Sequence, residues 1–473
     1  MTSTEPAAGW RDLVTDGRIG AAIVLAGGTA LYAISSYVTA SLLPTAIQDI
    51  GGARYLAWAT TVFVVASILS STLVSKMLAV RGPIGSYLTG FGLFSVGTVI
   101  CAASPVMAVM LVGRTVQGFG GGLLMGLGYS VIHIAYPQRL RARAAALVSA
   151  MWGVGTFVGP ALGGVFAQLG VWRLAFVALA VLCVAIGAVV PFALRGSEPS
   201  GHAHRIPVAS LALLTTAAAL LSIGSVLHGG WTALAIAGAL AVIAGFLAHE
   251  RRAAVSVLPR LTFVRESPLR WIYLTMIGVA IGISLENFIP LFAQELGRMV
   301  PLVAGFVGAA ASLAWTVAQI FSVNATGHRA TERLRIVGPV VLSTGLFLTA
   351  ICQIRDGGIA MIVVWIVCMM VAGAGIGLAW PHLATAVMGA SPDPAEGQQA
   401  AAAIGTVQLI ANTFGAAISG VLVNLGDPSP LRSARFLEIG LAVIAALGVL
   451  SALAARRPAN QAVPAAALAE TIA

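Results

Sequence analysis

Charge is scarce in this chain. Only 9% of its residues are Asp, Glu, Lys or Arg, where a soluble domain carries about a quarter. That excludes a water-facing globule of 473 residues. Lysine is almost missing, with Lys76 alone among 26 basic residues. The net charge of +10 forms no basic stripe with interleaved aromatics, which argues against a nucleic-acid partner. The four cysteines, Cys101, Cys183, Cys352 and Cys368, fall in or at the ends of apolar runs. Their spacing matches neither a metal site nor a secreted disulfide framework. The first 18 residues hold Glu5, Asp12 and Asp16, unlike the basic start of a signal peptide. No G-x-x-x-x-G-K-[ST] loop occurs, so ATP is not expected as direct fuel.

What the chain does have is apolar length. Hydrophobic residues make up 59% and the mean hydropathy is +0.96, and a run of about 20 such residues is long enough to span a bilayer as a helix. Fourteen runs are expected to span: 19–43, 55–74, 84–103, 106–135, 144–168, 173–195, 206–227, 231–249, 269–294, 301–323, 334–353, 360–389, 396–424 and 434–455. With the N-terminus inside, most basic residues fall on cytoplasmic segments and only Arg54, Arg173, Arg298, Arg355, Arg432 and Arg435 fall outside. An even count puts both termini in the cytoplasm. The expected organisation is a tail over 1–18, a six-helix bundle over 19–195, and an inserted helix pair with connectors over 196–268. A second six-helix bundle over 269–455 and a disordered tail over 456–473 follow.

Three motifs stand out. The fourth run holds Arg114, Gln117, Gly118 and Gly120 to Gly122. The fifth holds Gly153, Gly155, Gly159-Pro160 and Gly163-Gly164, and the sixth opens with Trp172-Arg173. Leu42-Leu43-Pro44 closes the first run and Leu291-Phe292-Ala293-Gln294 the ninth. In this order and spacing the chain resembles the major facilitator superfamily, and most of all its fourteen-helix drug:proton antiporter branch. The resemblance covers essentially the whole chain. It implies an all-α integral membrane fold of 14 transmembrane helices (6+2+6), with two pseudo-symmetric six-helix bundles around a central cavity. It also implies that Gly155, Gly159, Pro160, Gly163 and Gly164 serve the conformational change of an exporter, and that Arg114 takes part in proton coupling. Two elements of the family pattern are missing. The first run has no acid before its Leu-Pro pair, reading Tyr32 to Thr39 without one. In the loop after the second run Ala79 stands where an acid is usual, although Gly82 is kept.

The physical chemistry of the residues is consistent with this. Small residues every four positions let two helix backbones approach closely, and Pro160 removes an intrahelical hydrogen bond. Arg114 lies about 12 Å below the outer end of its run, where a bare charge costs at least ~2.5 kcal/mol. Glu286 is the only one of the 16 acids expected deep within a run. It lies at a depth similar to that of Arg114, so the two are assigned to proton coupling, facing one cavity from opposite bundles. Tyr37, Gln117, Tyr129, Trp315, Gln319, Gln408 and Asn412 are candidates for lining the substrate cavity, with His133 and His382 as further polar groups. Met125, Met369 and Met370 are expected to fill the core.

The expected function is export of lipophilic or amphipathic small molecules, such as drugs, by alternating access. The proton gradient supplies the energy, with no cofactor and no metal. The expected partners are substrate, protons and the lipid bilayer; the expected state is a monomer in the cell membrane. Export of a dedicated lipid or secondary metabolite with altered coupling is the alternative. A non-transporting sensor or scaffold comes next, and an intramembrane enzyme is disfavoured because Glu286, His133 and His382 form no catalytic set.

Overall fold

A computed structural model describes residues 11–456 except 16, 196–206, 228, 254–255, 266, 323, 326, 354–357 and 391–393. The described residues form helices and turns, with no strand among them. In chain order the helices are α1 (Ile19–Ile50), α2 (Leu56–Ser71), α3 (Val74–Ala102), α4 (Met107–Ser130), α5 (Ile132–Ala135), α6 (Gln138–Gln168), α7 (Arg173–Ala193) and α8 (Val208–Gly224). Then come α9 (Gly230–Glu250), α10 (Leu269–Gly282), α11 (Ile289–Glu295), α12 (Pro301–Ser322), α13 (His328–Ile351), α14 (Gly358–Met388), α15 (Pro394–Leu425) and α16 (Pro430–Ala454). Among the described residues twelve helical segments are long and apolar enough to cross a membrane; Val208–Gly224 and Ile410–Leu425 are apolar but shorter. This is a multi-pass membrane protein. The tether expected at 196–205 and all but the first residue of the tail at 456–473 lie outside the described residues.

Several helix limits differ from those the hydropathy suggests. The first run was expected to end at 43, but α1 carries on through Pro44 to Ile50. The stretch before the third run is helical too, with a break at Gly82, whose φ of 65° is unfavourable for any residue with a Cβ. The ninth run is not one helix: a 3-10 turn over Ile283–Asn287 separates α10 from α11. Pro290 contributes to that break. It has no N–H to give the carbonyl of Glu286, and its ring crowds that carbonyl.

The chain divides into two compact units, residues 1–53 with 62–206 and residues 54–61 with 207–473. In the first unit α1 lies along α6. A Cβ on Gly155 would come 2.6 Å from the Cβ of Ala33, one on Gly159 would run into the Cβ of Tyr37, and one on Gly163 would sit 2.6 Å from the carbonyl oxygen of Val38. Only glycine permits this approach. At the far end of α1, Asp49 accepts hydrogen bonds from Arg173 (2.5 Å) and Trp172 (3.2 Å), which ties α1 to the start of α7.

The second unit includes α8 and α9. Leu221 of α8 and Ala239 of α9 share a small core with Ala417 of α15. Asn424 Nδ2 donates to the carbonyl of Ser225, and Trp58 Nε1 to that of Ser222 at 2.8 Å. Glu250, buried at the end of α9, accepts from the Ser210 hydroxyl of α8 and from the backbone N–H of Leu258. That fastens the connector leading to α10.

Candidate functional site

One of the two coupling candidates lies in each unit. In the first it is Arg114 on α4, only 1% exposed. Its Nη1 donates to Ser35 Oγ of α1 at 3.0 Å and to Gln117 Oε1 at 2.5 Å. The guanidinium carbon stands 4.0 Å from the ring centroid of Phe63 on α2, a geometry worth about 2 kcal/mol when desolvated. Gln117 Nε2 donates in turn to Thr98 Oγ1 of α3 at 2.8 Å. Tyr32 closes the surround, with its ring 5.1 Å from Phe63 and 5.8 Å from Trp152 of α6. One guanidinium is therefore held through α1, α2 and, by way of Gln117, α3.

In the second unit the group is Glu286, in the 3-10 turn between α10 and α11. Ser312 Oγ of α12 donates to Glu286 Oε2 at 2.8 Å. Asn287 Nδ2 donates to the Ser284 carbonyl at 3.2 Å, bracing the same turn. A Cβ on Gly308 would lie 3.3 Å from the carbonyl oxygen of Glu286, so α12 passes close to the interrupted backbone. A 3-10 stretch inside a longer helix often marks a functional hinge. Here it carries the carboxylate.

Two local patterns occur in both units, and Arg114 and Glu286 fall where the patterns differ. In the first unit, Gly118 and Gly122 of α4 abut the carbonyl oxygens of Phe63 and Ser67 on α2. In the second, Gly373 and Gly377 of α14 abut those of Ala311 and Trp315 on α12, with the same spacing throughout. Arg114 stands four residues before Gly118; Met369, buried, stands four before Gly373. Likewise Pro44 and Pro290 are each followed by a glutamine and then an acid, Gln48-Asp49 and Gln294-Glu295. Glu286 stands four before Pro290, and Ala40 four before Pro44. These two patterns recur, whereas Arg114 and Glu286 have no counterpart at the matching positions.

The remaining candidates sit in varied surroundings. Gln117 was expected to line a cavity; it is fully buried, and its amide is engaged by Arg114 on one side and Thr98 on the other. Tyr37 is half-buried beside Gly159, and Tyr129 is 41% exposed. Trp315 Nε1 donates to Gln319 Oε1 at 2.9 Å, and its ring meets that of Trp380 edge to face. Gln408 and Asn412 of α15 are half-buried. Pro160 and Gly164 are buried in α6. His382 is buried and bonds the Ser322 carbonyl at 3.1 Å, whereas the side chain of His133 lies outside the described residues. Met369 is core, Met125 is half-buried, and Met370 is 42% exposed.

Glu286 is half-buried, and two other acids are buried more deeply. Glu438 of α16 has no exposed surface and Glu250 only 1%. Distance from the ends of the hydropathy runs hid them: Glu438 is four residues inside its expected run, but α16 begins earlier, at Pro430. Ser35, Phe63, Thr98 and Ser312 were missed as well, since nothing in their local sequence points to a partner on another helix.

The sequence profile of the Major Facilitator Superfamily matches residues 25–408. A Mycobacterium tuberculosis protein described as "Probable multidrug-efflux transporter" is 42% identical over 95% of this chain and 97% of its own length. A multidrug efflux pump of Staphylococcus aureus is 25% identical over 69% of this chain and 72% of the pump. Among solved structures, a POT family transporter superposes with a TM-score of 0.67 at 13% identity, covering 93% of this chain and 97% of that one. A bacterial homologue of the human lysosomal transporter Spinster gives 0.63 at 14% identity, over 94% and 99%. At such identities these two speak for the fold alone.

Proposed function

Because the chain belongs to the Major Facilitator Superfamily, and is thus a membrane transporter and not an enzyme, we propose that it is a proton-coupled multidrug exporter working by alternating access. Its substrates are lipophilic or amphipathic small molecules, moved out across the cytoplasmic membrane by a monomer. The descriptions of its relatives support the cargo class. In this reading α8 and the later part of α15 also span, giving fourteen helices as 6+2+6 with both termini in the cytoplasm.

The observation that carries the coupling is the position of Glu286. It is an acid on an interrupted span, its carboxylate held by one hydroxyl and its backbone freed by Pro290. Such a group gains or loses a proton when the turn and α12 shift. Arg114 serves the same cycle from the first unit, holding its helices in one arrangement until its set of partners changes. The glycine seam of α6 allows α1 and α6 to slide while staying in contact.

The test uses proteoliposomes, an imposed pH gradient and a panel of lipophilic dyes. Wild-type protein concentrates dye against its gradient. Glu286→Gln binds dye and passes it downhill but does not concentrate it. Concentrative transport by Glu286→Gln with wild-type pH dependence rules out this carboxylate as the coupling group. A dedicated metabolite exporter is the second reading, favoured by the absence of an acid between Tyr32 and Thr39; failure of the whole panel beside transport of one lipid class would establish it.

A further inference from the structure

Glu438 takes no part in the proposed cycle, yet it is fully buried in α16. Facing it is Gln353, just past the end of α13 and equally buried. Gln353 Nε2 donates to Glu438 Oε1 at 2.5 Å. The other two oxygens of the pair, Glu438 Oε2 and Gln353 Oε1, have no hydrogen-bond partner among the described residues. A buried acceptor left in that state costs about 1–3 kcal/mol, and more if charged. Two of them in one pair call for a donor that the surrounding side chains do not supply.

The neighbouring charged and titratable groups do not fill that role. Arg435, one turn earlier on α16, spends its Nη2 on the backbone carbonyl of Gln353 at 3.2 Å. The thiols of Cys352, beside Gln353, and of Cys368 on α14 are free. Neither the guanidinium nor a thiol bonds Oε2.

We propose that Glu438 and Gln353 form a second proton-binding site, a cyclic acid–amide pair in which Glu438 Oε2–H donates to Gln353 Oε1 while Gln353 Nε2–H donates to Glu438 Oε1. A single proton satisfies both orphaned oxygens. Gln353 Nε2 and Glu438 Oε1, at 2.5 Å, form the N–H···O side of the pair. Turning the amide over does not remove the need for the proton, because its oxygen then faces Oε1 and again needs an acid hydrogen between them. On loading, Oε2 takes the proton from hydronium and leaves water; on opening, the proton returns to water and the carboxylate is left to be hydrated. The site stands on its own hydrogen-bond inventory, whatever the role of Glu286.

Infrared difference spectroscopy on the full-length protein in nanodiscs tests this. At neutral pH the wild type shows a carboxylic-acid C=O band that is lost in Glu438→Gln and kept in Glu286→Gln. Gln353→Leu shifts that band to higher frequency, since the acid then lacks its amide partner. Glu438→Gln keeps the thermal stability of the parent, because an amide–amide pair makes the same two bonds. The proposal is overturned if no band is lost in Glu438→Gln, or if that variant melts well below the parent at neutral pH as the loss of a buried ion would require. The persistence of the band in Glu286→Gln separates this outcome from any failure of the coupling assignment.

Discussion

At the scale of single residues, the holding of Arg114 leads to unequal costs for its neighbours. Nη1 donates to two side chains while the guanidinium plane lies on the Phe63 ring, a stacking that a lysine ammonium does not reproduce. Arg114→Lys is therefore expected to lower transport almost as far as Arg114→Ala, measured as dye efflux at matched expression. Gln117→Leu removes the acceptor for Arg114 and the donor to Thr98 together; a loss of roughly 1–3 kcal/mol is expected, read as a lower midpoint of thermal unfolding in detergent. Gln117→Glu, which keeps an acceptor for the guanidinium, should lose less. Arg114 itself was legible in the sequence, because a lone base in an apolar run is conspicuous. Its partners were not: Ser35, Phe63 and Thr98 are ordinary residues in a helix until packing brings them to one point. Gln117 was noticed, but its bonds to Arg114 and Thr98 were not, since sequence alone does not say which face of α4 meets another helix.

At the scale of helices, most of the apolar runs proved to be helices, because an unbroken run of such residues has few other ways to satisfy its backbone in lipid. What the sequence concealed were the interruptions. Pro44 and Pro290 sit in similar surroundings, yet α1 continues through the first and the chain breaks before the second. Proline alone does not decide the matter; the packing around it does. Pro290→Ala is expected to let 283–287 regularise towards an α-helix and to abolish concentrative transport without lowering thermal stability. The glycine motif of α6 yields a sharper contrast. Gly153 has open space where a Cβ would stand, and Gly159 has Tyr37 there. Gly153→Ala should be neutral, while Gly159→Ala should cost roughly 1–3 kcal/mol through overpacking and slow efflux. Equal effects from the two would show that the α1–α6 seam plays no part in the cycle.

At the scale of the whole molecule, the orientation can be checked with single cysteines in a cysteine-free background. Leu169, 67% exposed at the end of α6, should label from outside, and Ser256 in the connector after α9 from the cytoplasm. Reversal of either would overturn the topology. The recurring glycine pattern became visible in the packing, where Gly118 and Gly373 each meet a carbonyl of a neighbouring helix. Arg114 and Glu286 are divided between the two units. A chain assembled from two copies of the first half would carry two arginines at the position of Arg114 and nothing at that of Glu286; one assembled from two second halves would carry the reverse. Neither could stand in for the natural order, however well it folded.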